Sequence, residues 1–201
     1  MNAEIISVGT ELLLGNIENT NTTFLSKRLA DLGISVFYQS SVGDNAQRLI
    51  KLLSLAVERS QVIIITGGLG PTDDDITKET VCKALNIDLV LHEPTLKKIE
   101  DYFARTGRQM TENNRKQAMI PDGAEIMENE HGTAPGIVLT SGEQVIMLLP
   151  GPPSEMRPMV DKYASKFLAK YSDGIIFSRT VKFIGIGESQ LAEKIEDMFD
   201  G

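Results

Sequence analysis

The sequence predicts an α/β fold with a mostly parallel central sheet, and two observations support this prediction. Short apolar, β-branched runs alternate along the chain with amphipathic segments of helical period. The run QVIIIT, residues 61–66, is almost entirely apolar, which is typical of a strand covered by helices on both faces. Strands that alternate with helices pair in parallel through right-handed crossovers.

The strands are predicted from apolar runs that end at a glycine, a proline or a turn. They cover residues 3–9, 34–42, 61–66, 136–140 and 144–150. The run 3–9 ends at Gly9, and residues 9–21 are predicted to form a loop or a short irregular element. A further short strand is predicted just before His92, which we interpret as structural or exposed.

Helices are predicted where apolar residues recur at helical spacing. Gly33 ends the first, Asp44 or Asn45 can cap the second, and Pro94 opens the fourth. The predicted helices cover residues 21–33, 46–59, 76–86, 95–107, 111–119 and 152–170.

The pattern changes after Asp173 and Gly174. Residues 175–187 alternate like an edge or meander strand, and residues 188–199 form an amphipathic helical pattern. One strand and one helix cannot bury a core of their own. The sequence therefore predicts one domain over residues 1–172 and the truncated start of a second module over residues 173–201.

Composition is that of an ordinary globular protein. The 201 residues are 41% hydrophobic and 24% charged, and the formal net charge of −8 argues against non-specific nucleic-acid binding. The single cysteine, Cys82, fits a reducing compartment and is predicted to be a buried small hydrophobe. Because no membrane span or signal peptide is predicted, a cytoplasmic location is expected.

Four glycine-bearing segments follow predicted strands. In an open parallel sheet the carboxyl ends of the strands form one rim, where ligands bind. We therefore expect all four segments to meet at one site. They are VGTELLLG after residues 3–9, VGDN after 34–42, TGGLGPTDDD after 61–66 and PGPPSEM after 144–150.

The loop TGGLGPTDDDITKE, residues 66–79, combines glycines with three consecutive aspartates. Glycines let backbone N–H groups converge on an anion, whereas carboxylates repel a phosphate. A divalent cation held by one or two carboxylates resolves the conflict, because it also binds substrate phosphates. Thr72 or one of the aspartates can cap the helix that begins near Ile76, and a helix cap with solvated neighbours is the alternative interpretation. The loop matches neither the P-loop nor the dinucleotide fingerprint.

Other polar residues near predicted strand ends leave alternatives open. Glu11 has no capping role and is interpreted as functional. The segment HGTAPG, residues 131–136, can bring backbone and a hydroxyl to a ligand or can be a tight turn, and His131 is more typical of a surface residue than of a general base. Arg115 and Lys116 can bind a phosphate or form a solvated helix face. Two histidines and one cysteine without ligand spacing predict no zinc site.

Several motifs in order along the chain identify a family. They are ISVGTELLLG, NTN, VGDN, TGGLGPTDDDITKE, NRKQA, GTAPG and LLPGPPSEM, and together they resemble the N-terminal portion of the CinA family of competence/damage-inducible proteins. That portion resembles in turn the MoaB/Mog molybdopterin-binding domain. The resemblance implies a three-layer α/β sandwich with a mostly parallel central sheet, and homo-oligomers.

The resemblance also suggests roles for particular residues. In the Mog group a TGGTG…RD loop and an upstream aspartate serve molybdopterin adenylylation, and Asp75 and Asp44 fall on those two aspartates. The present sequence departs from that pattern at Leu69, which replaces a threonine, and at Asp74, which replaces an arginine. Replacing a cation by an anion at a phosphate site disfavours the pterin chemistry and favours a metal-dependent one.

CinA proteins of this type are associated with divalent-metal-dependent hydrolysis of ADP-ribose. Many carry a separate C-terminal domain that deamidates nicotinamide mononucleotide, and the present chain ends before such a domain. Residues 175–201 resemble the start of the KH-type linker module of longer members. They lack a GXXG loop, so RNA binding is not predicted.

The leading hypothesis is a cytoplasmic, metal-dependent pyrophosphatase that acts on ADP-ribose or a related nucleotide. Glu11, Asp73 and Asp75 are expected to hold the cation, Mg²⁺ or Co²⁺, with Asp75 and Asp44 as catalytic residues and Asp44 orienting water or a ribose hydroxyl. The expected nucleotide- and phosphate-binding residues are Gly9, Thr10, Thr66, Gly67, Gly68, Gly70, Thr72, Gly132, Thr133, Ala134, Pro150, Gly151, Pro152 and Ser154.

Two other functions stay open at this stage. One is pterin-nucleotide binding or adenylyl transfer of the Mog type. The other is a non-catalytic nucleotide-sensing module that works through a protein partner in competence or DNA repair. Each of the three hypotheses predicts a nucleotide-like small molecule at the rim of the sheet.

Overall fold

A computed structural model describes residues 1–172, 174 and 180–196. The α-helices α1–α7 span, in chain order, Thr10–Leu13, Thr20–Asp31, Ala46–Arg59, Thr77–Leu85, Glu93–Thr106, Pro153–Leu168 and Glu188–Ile195. The strands β1–β8 span Asn2–Val8, Ser35–Val42, Val62–Thr66, Leu89–Leu91, Met119–Pro121, Glu125–Met127, Gly136–Ser141 and Gln144–Leu149. Short 3-10 helices cover Glu112–Ala118 and Ala169–Tyr171.

The central sheet has six strands in the order β2-β1-β3-β8-β7-β6. β1 pairs in parallel with β2 and β3, and β3 pairs in parallel with β8. β7 and β8 are antiparallel because only Gly142 and Glu143 join them, and so short a turn cannot cross the sheet. With β6 also antiparallel to β7, the predicted mostly parallel sheet is confirmed.

Helices cover both faces of the sheet and give three layers. Ile5 and Ile64 point into a core shared with α2 and α6, whereas Ile6 and Ile65 point into a second core shared with α3 and α4. This alternation follows the two-residue period of a strand. It explains why the central strands are apolar at nearly every position.

A smaller unit lies beside the sheet over residues 89–121. The pair β4–β5 and helix α5 enclose a minor core of Leu96, Ile99 and Ala118. His92 caps α5, because its ring nitrogen accepts the backbone N–H of Thr95 at 3.3 Å. The structural interpretation of His92 is therefore confirmed.

Several local predictions need correction. The short irregular element expected over residues 9–21 contains helix α1. The polar helix expected at 111–119 is a 3-10 helix followed by β5, and β5 and β6 are too short to give a periodic signal in the sequence. Residues 180–187 are irregular rather than a strand, while 175–179 lie outside the described residues.

The C-terminal helix predicted over 188–199 is described as α7, and residues 197–201 lie outside the described part. The start of a second module at residue 173 stays a prediction. Cys82 is buried as predicted, and burial raises the pKa of its thiol to about 11. Among the described residues no helix is long and apolar enough to cross a bilayer.

Candidate functional site

Four parallel strand ends bring their loops to one rim of the sheet. Val8 of β1 pairs with Val42 of β2, and Thr66 of β3 pairs with Leu149 of β8. The following residues continue these contacts, since the N–H of Gly9 donates to the Val42 carbonyl at 3.0 Å. The expected meeting of the four glycine-bearing segments therefore occurs.

The four segments and the 133–134 loop enclose a cleft of about 580 Å³, which we call the rim cleft. This volume lies within the usual range for small-molecule sites. Most of the predicted site residues line it, namely Gly9, Glu11, Asp44, Thr66, Gly67, Gly68, Gly70, Thr72, Asp75, Thr133, Ala134, Pro150, Gly151 and Pro152. Four predicted residues are not among those lining it, namely Thr10, Asp73, Gly132 and Ser154.

Gly67 lies where the loop after β3 crosses the rim of the sheet. Its φ of 104° lies in the region that glycine alone adopts readily, and its N–H donates to the Leu149 carbonyl at 3.0 Å. A Cβ here would collide with the carbonyl oxygen of Val8. The loop can thus lie directly on the ends of β1 and β8 only because residue 67 lacks a side chain.

A hydrogen-bonded network forms one wall of the cleft. The Thr66 hydroxyl donates to the Pro150 carbonyl at 3.0 Å, and the Asn21 amide donates to Thr66 Oγ1 at 3.2 Å and to the Gly151 carbonyl at 2.7 Å. Asn21 Oδ1 is buried without a hydrogen-bond partner among the described residues. Asn21 belongs to the NTN motif but was not predicted as a site residue, because only the fold places α2 at this rim.

Asp44 is held in place by the start of α1. Its Oδ2 accepts the backbone N–H of Thr10 at 2.9 Å and the Thr10 hydroxyl at 2.7 Å. The capping of α3 falls to Asn45, whose side chain accepts the N–H of Arg48 at 3.1 Å. The interpretation of Asp44 as the cap of its own following helix is therefore wrong, and its carboxylate lies in the cleft.

Asp75 folds back onto its own loop. Its Oδ2 accepts the Thr72 N–H at 3.0 Å and the Thr72 hydroxyl at 2.5 Å. The carboxylate occupies the place that a side chain on Gly70 would need. The predicted capping of α4 by Thr72 or an aspartate is wrong, because the first N–H of that helix, on Thr77, donates to the Gly68 carbonyl at 3.1 Å.

Asp74 shares the hydroxyl of Thr72, whose oxygen lies 2.5 Å from Asp74 Oδ1. This hydrogen bond is the main cause that keeps the pKa of Asp74 below its usual value, and a hydrogen bond to its own backbone is the second cause. Asp74 is therefore ionised at the position where the Mog-type pattern has an arginine. Its charge opposes phosphate binding unless a cation lies nearby.

Lys116 holds the aspartate loop in place, and Lys78 holds Lys116. Lys116 Nζ donates to the backbone carbonyls of Thr72, at 3.1 Å, and of Asp75. Lys78, which is only 4% exposed, donates to the Lys116 carbonyl at 2.5 Å. Lys116 thus holds the loop rather than forming a solvated helix face, whereas Arg115 is exposed.

Lys78 should give stability a measurable pH dependence. Burial is the main cause that lowers its pKa from 10.5 to about 8, so above pH 8 the folded chain releases a proton that the unfolded chain retains. The contribution of Lys78 to stability therefore rises with pH between about 8 and 10.5, by up to about 3 kcal/mol, and the raised pKa of Cys82 opposes this rise above about pH 9. The midpoint of urea denaturation at pH 7, 8.5 and 10 measures this rise.

The rise should disappear in Lys78→Met. Lys83→Met is the matched control, because Lys83 is an exposed lysine of the same helix. A pH-dependent rise that is unchanged in Lys78→Met would contradict the assignment to Lys78.

Glu155 is a cleft residue that sequence reasoning missed. Burial raises the pKa of its carboxyl, and Asn129 donates to its Oε2 at 2.6 Å. The carboxyl occupies the space beside Gly132, which lacks a Cβ. Its position in PGPPSEM was visible in the sequence, but only the fold brings α6 against the 129–134 loop.

Three carboxylates, those of Glu11, Asp73 and Asp75, were predicted to hold the cation. Asp73 is exposed and not among the residues that line the cleft, and the described residues contain no group of three or more His, Cys, Asp or Glu that could hold a metal. The expected triad of Glu11, Asp73 and Asp75 is therefore not formed. Glu11 and Asp75 both line the cleft, which fits a cation of the Mg²⁺ type that takes one or two carboxylates and completes its shell with substrate phosphates.

The family model described as "Probable molybdopterin binding domain" matches residues 4–170. The chain therefore belongs to this domain family. MoaB of Thermus thermophilus, at 18% identity and a TM-score of 0.55 over 85% of this chain and 92% of that one, shares its fold. The predicted three-layer sandwich of the MoaB/Mog kind is confirmed.

Within that family the chain groups with CinA. It is 34% identical to the CinA protein of Thermoplasma acidophilum, with a TM-score of 0.75 over 83% of this chain and 96% of that one. Over the full length of the present chain, it is 55% identical to a competence-damage inducible protein of Bacillus mycoides and 54% identical to one of Bacillus cereus. The chain spans about half of each of these relatives, 49% in both.

Proposed function

We propose that the rim cleft binds a nucleotide diphosphate such as ADP-ribose and that the domain hydrolyses its pyrophosphate linkage with a divalent cation. The observation that carries the proposal is that one cleft combines glycine-lined backbone with the carboxylates of Glu11, Asp44 and Asp75. Glycine backbone alone suits an anion, and carboxylates alone suit a cation. Both together suit a cation–diphosphate complex.

The cation would be held by Asp75 and Glu11 together with the substrate, and when bound it would lower the pKa of a water and offset phosphoryl charge. The chain itself would do the positioning. Backbone of Gly67, Gly68 and Gly70 lines the cleft where the diphosphate would lie, and the absence of side chains on these residues lets the loop pack tightly enough to do so. Asp44, fixed by two hydrogen bonds from Thr10, would orient the attacking water or a ribose hydroxyl.

Glu155 would also lie beside the diphosphate, because it lines the same cleft. Burial raises the pKa of its carboxyl, which reduces its charge repulsion toward a phosphate compared with a solvated carboxylate. The buried Oδ1 of Asn21 would accept a hydroxyl of the ligand. This contact would fix orientation rather than supply the attacking group.

The direct test is hydrolysis of ADP-ribose by the purified protein with Mg²⁺, Mn²⁺ and Co²⁺ in turn. Water adds to one phosphorus and the bridging P–O bond breaks, so AMP and ribose 5-phosphate are expected in equal amounts, and none with excess chelator. Absence of turnover with every metal would reject the pyrophosphatase. Binding without turnover would favour a nucleotide-sensing module that acts through a competence or DNA-repair partner.

A second candidate is binding of a pterin nucleotide, or adenylyl transfer to one. It is favoured by the family description, which names molybdopterin. It is disfavoured by Asp74, which is ionised where the Mog-type pattern has an arginine. Calorimetry with molybdopterin and with ADP-ribose separates the two, since the pterin candidate requires the tighter binding of molybdopterin.

We also propose that the protein forms a homo-oligomer, as the family resemblance implies. Light scattering would measure its oligomeric state.

A further inference from the structure

A second and larger cavity lies beside the rim cleft. It measures about 910 Å³ and lies between helix α5 and the segment 126–135, and we call it the α5 cavity. Of its lining, only Gly132 and Thr133 of the HGTAPG segment were predicted as site residues, because its two sides come from parts of the chain that are distant in sequence. Neither side belongs to the four strand-end loops.

The two cavities share one narrow partition. Thr133 lines both of them, while Gly132 lines the α5 cavity and Ala134 lines the rim cleft. Asn129 fixes this partition, because its amide donates to the Ala134 carbonyl at 2.8 Å and to Glu155 at 2.6 Å. The two cavities therefore adjoin at Thr133, and one extended ligand reaching both would cross the protein at this residue.

The lining of the α5 cavity suits a heteroaromatic ring. Tyr102 offers a half-buried aromatic side chain. Arg105 makes no ion pair with any described residue, so its guanidinium is available to a polar or aromatic group. Three carboxylates line the cavity, and each is paired with a lysine: Asp101 with Lys97 at 3.1 Å, Glu128 with Lys98, and Glu130 with Lys162 at 2.5 Å. Charge repulsion toward a nucleotide is reduced by these three pairs.

We infer that the α5 cavity is a subsite for the nucleobase end of the same ligand whose diphosphate lies in the rim cleft. This inference rests on the proposed function and adds to it the place where the nucleoside end of the substrate would bind. Tyr102 would stack on the base, and Arg105 would cover its other side or contact the ribose. Stacking of a base on an aromatic side chain tolerates different bases, so the subsite would select a nucleoside more strongly than a particular base.

Calorimetry with two probes in the presence of Mg²⁺ tests the subsite. One probe is α,β-methylene ADP-ribose, which resists hydrolysis, and the other is inorganic pyrophosphate, which has no nucleoside. Tyr102→Ala is expected to weaken binding of the methylene analogue about tenfold and to leave pyrophosphate within about twofold. Tyr102→Phe should retain both affinities, because it keeps the ring.

Arg105→Ala and Arg108→Ala form a matched pair, since both arginines are exposed and only Arg105 lines the cavity. Only Arg105→Ala should weaken binding of the methylene analogue. Equal weakening of both probes, or no change in Tyr102→Ala, would overturn the subsite while leaving the proposed function in place. A wild-type protein that binds neither probe would overturn both.

Discussion

Asp75→Asn is expected to lower kcat/KM for metal-dependent hydrolysis of ADP-ribose by about 100-fold or more. The amide keeps the size of the carboxylate and can still accept the hydrogen bonds from Thr72. It loses the negative charge that would hold the cation against the diphosphate. The assay measures AMP release at several Mg²⁺ concentrations, and higher Mg²⁺ should restore part of the rate, because weaker cation binding is the expected defect.

Asp73→Asn is the matched control for this result. It makes the same change of charge two residues away, but the Asp73 side chain is exposed and is not among the residues that line the rim cleft. Its activity should stay within about threefold of the wild type, as expected for a screened surface charge. Full activity in Asp75→Asn, or an equal loss in both variants, would reject the role given to Asp75.

Gly67→Ala should be the most destabilising substitution at the rim. Alanine at a φ of 104° costs about 1–3 kcal/mol in backbone strain alone. The added Cβ would also collide with the Val8 carbonyl, so β1 or the loop must shift. We expect a loss of about 3 kcal/mol or more in the free energy of unfolding, measured by urea denaturation, together with loss of nucleotide binding.

Gly123→Ala separates strain from collision. Gly123 also has a positive φ, 74°, but a Cβ there would meet no atom within 4 Å. Its cost should therefore be limited to about 1–2 kcal/mol, with nucleotide binding intact. If both variants lost the same free energy of unfolding, the collision between a side chain at residue 67 and β1 would not explain the destabilisation of Gly67→Ala.

Much of the fold could be predicted because its signals are local. The apolar run 61–66 and the amphipathic segment 46–59 correspond closely to β3 and α3. The failures occur where the signal is short or depends on context. β5 and β6 have three residues each, too few for a period, and their pairing partners decide their conformation. Residues 180–187 alternate like a strand but are irregular in the structure.

The sequence predicted which loops form the site more accurately than it predicted which side chains line it. The rule that parallel strand ends share a rim correctly brought together the glycines around residues 9, 67 and 151. It could not tell which of the three consecutive aspartates line the cleft. Asp74 and Asp75 line it and both contact Thr72, whereas Asp73 remains exposed and is not among the lining residues.

Sequence by itself determined the alternation of strands and helices, the rim that carries the glycine-bearing loops, and the family. These follow from periodicity and from motif order, which are local properties of a chain. Only the tertiary structure decided that Lys116, itself bonded to buried Lys78, holds the aspartate loop, that Glu155 lines the rim cleft, and that a second cavity adjoins at Thr133. Contacts of this kind join residues far apart in the chain, and packing and burial, rather than spacing, set their geometry and their pKa values.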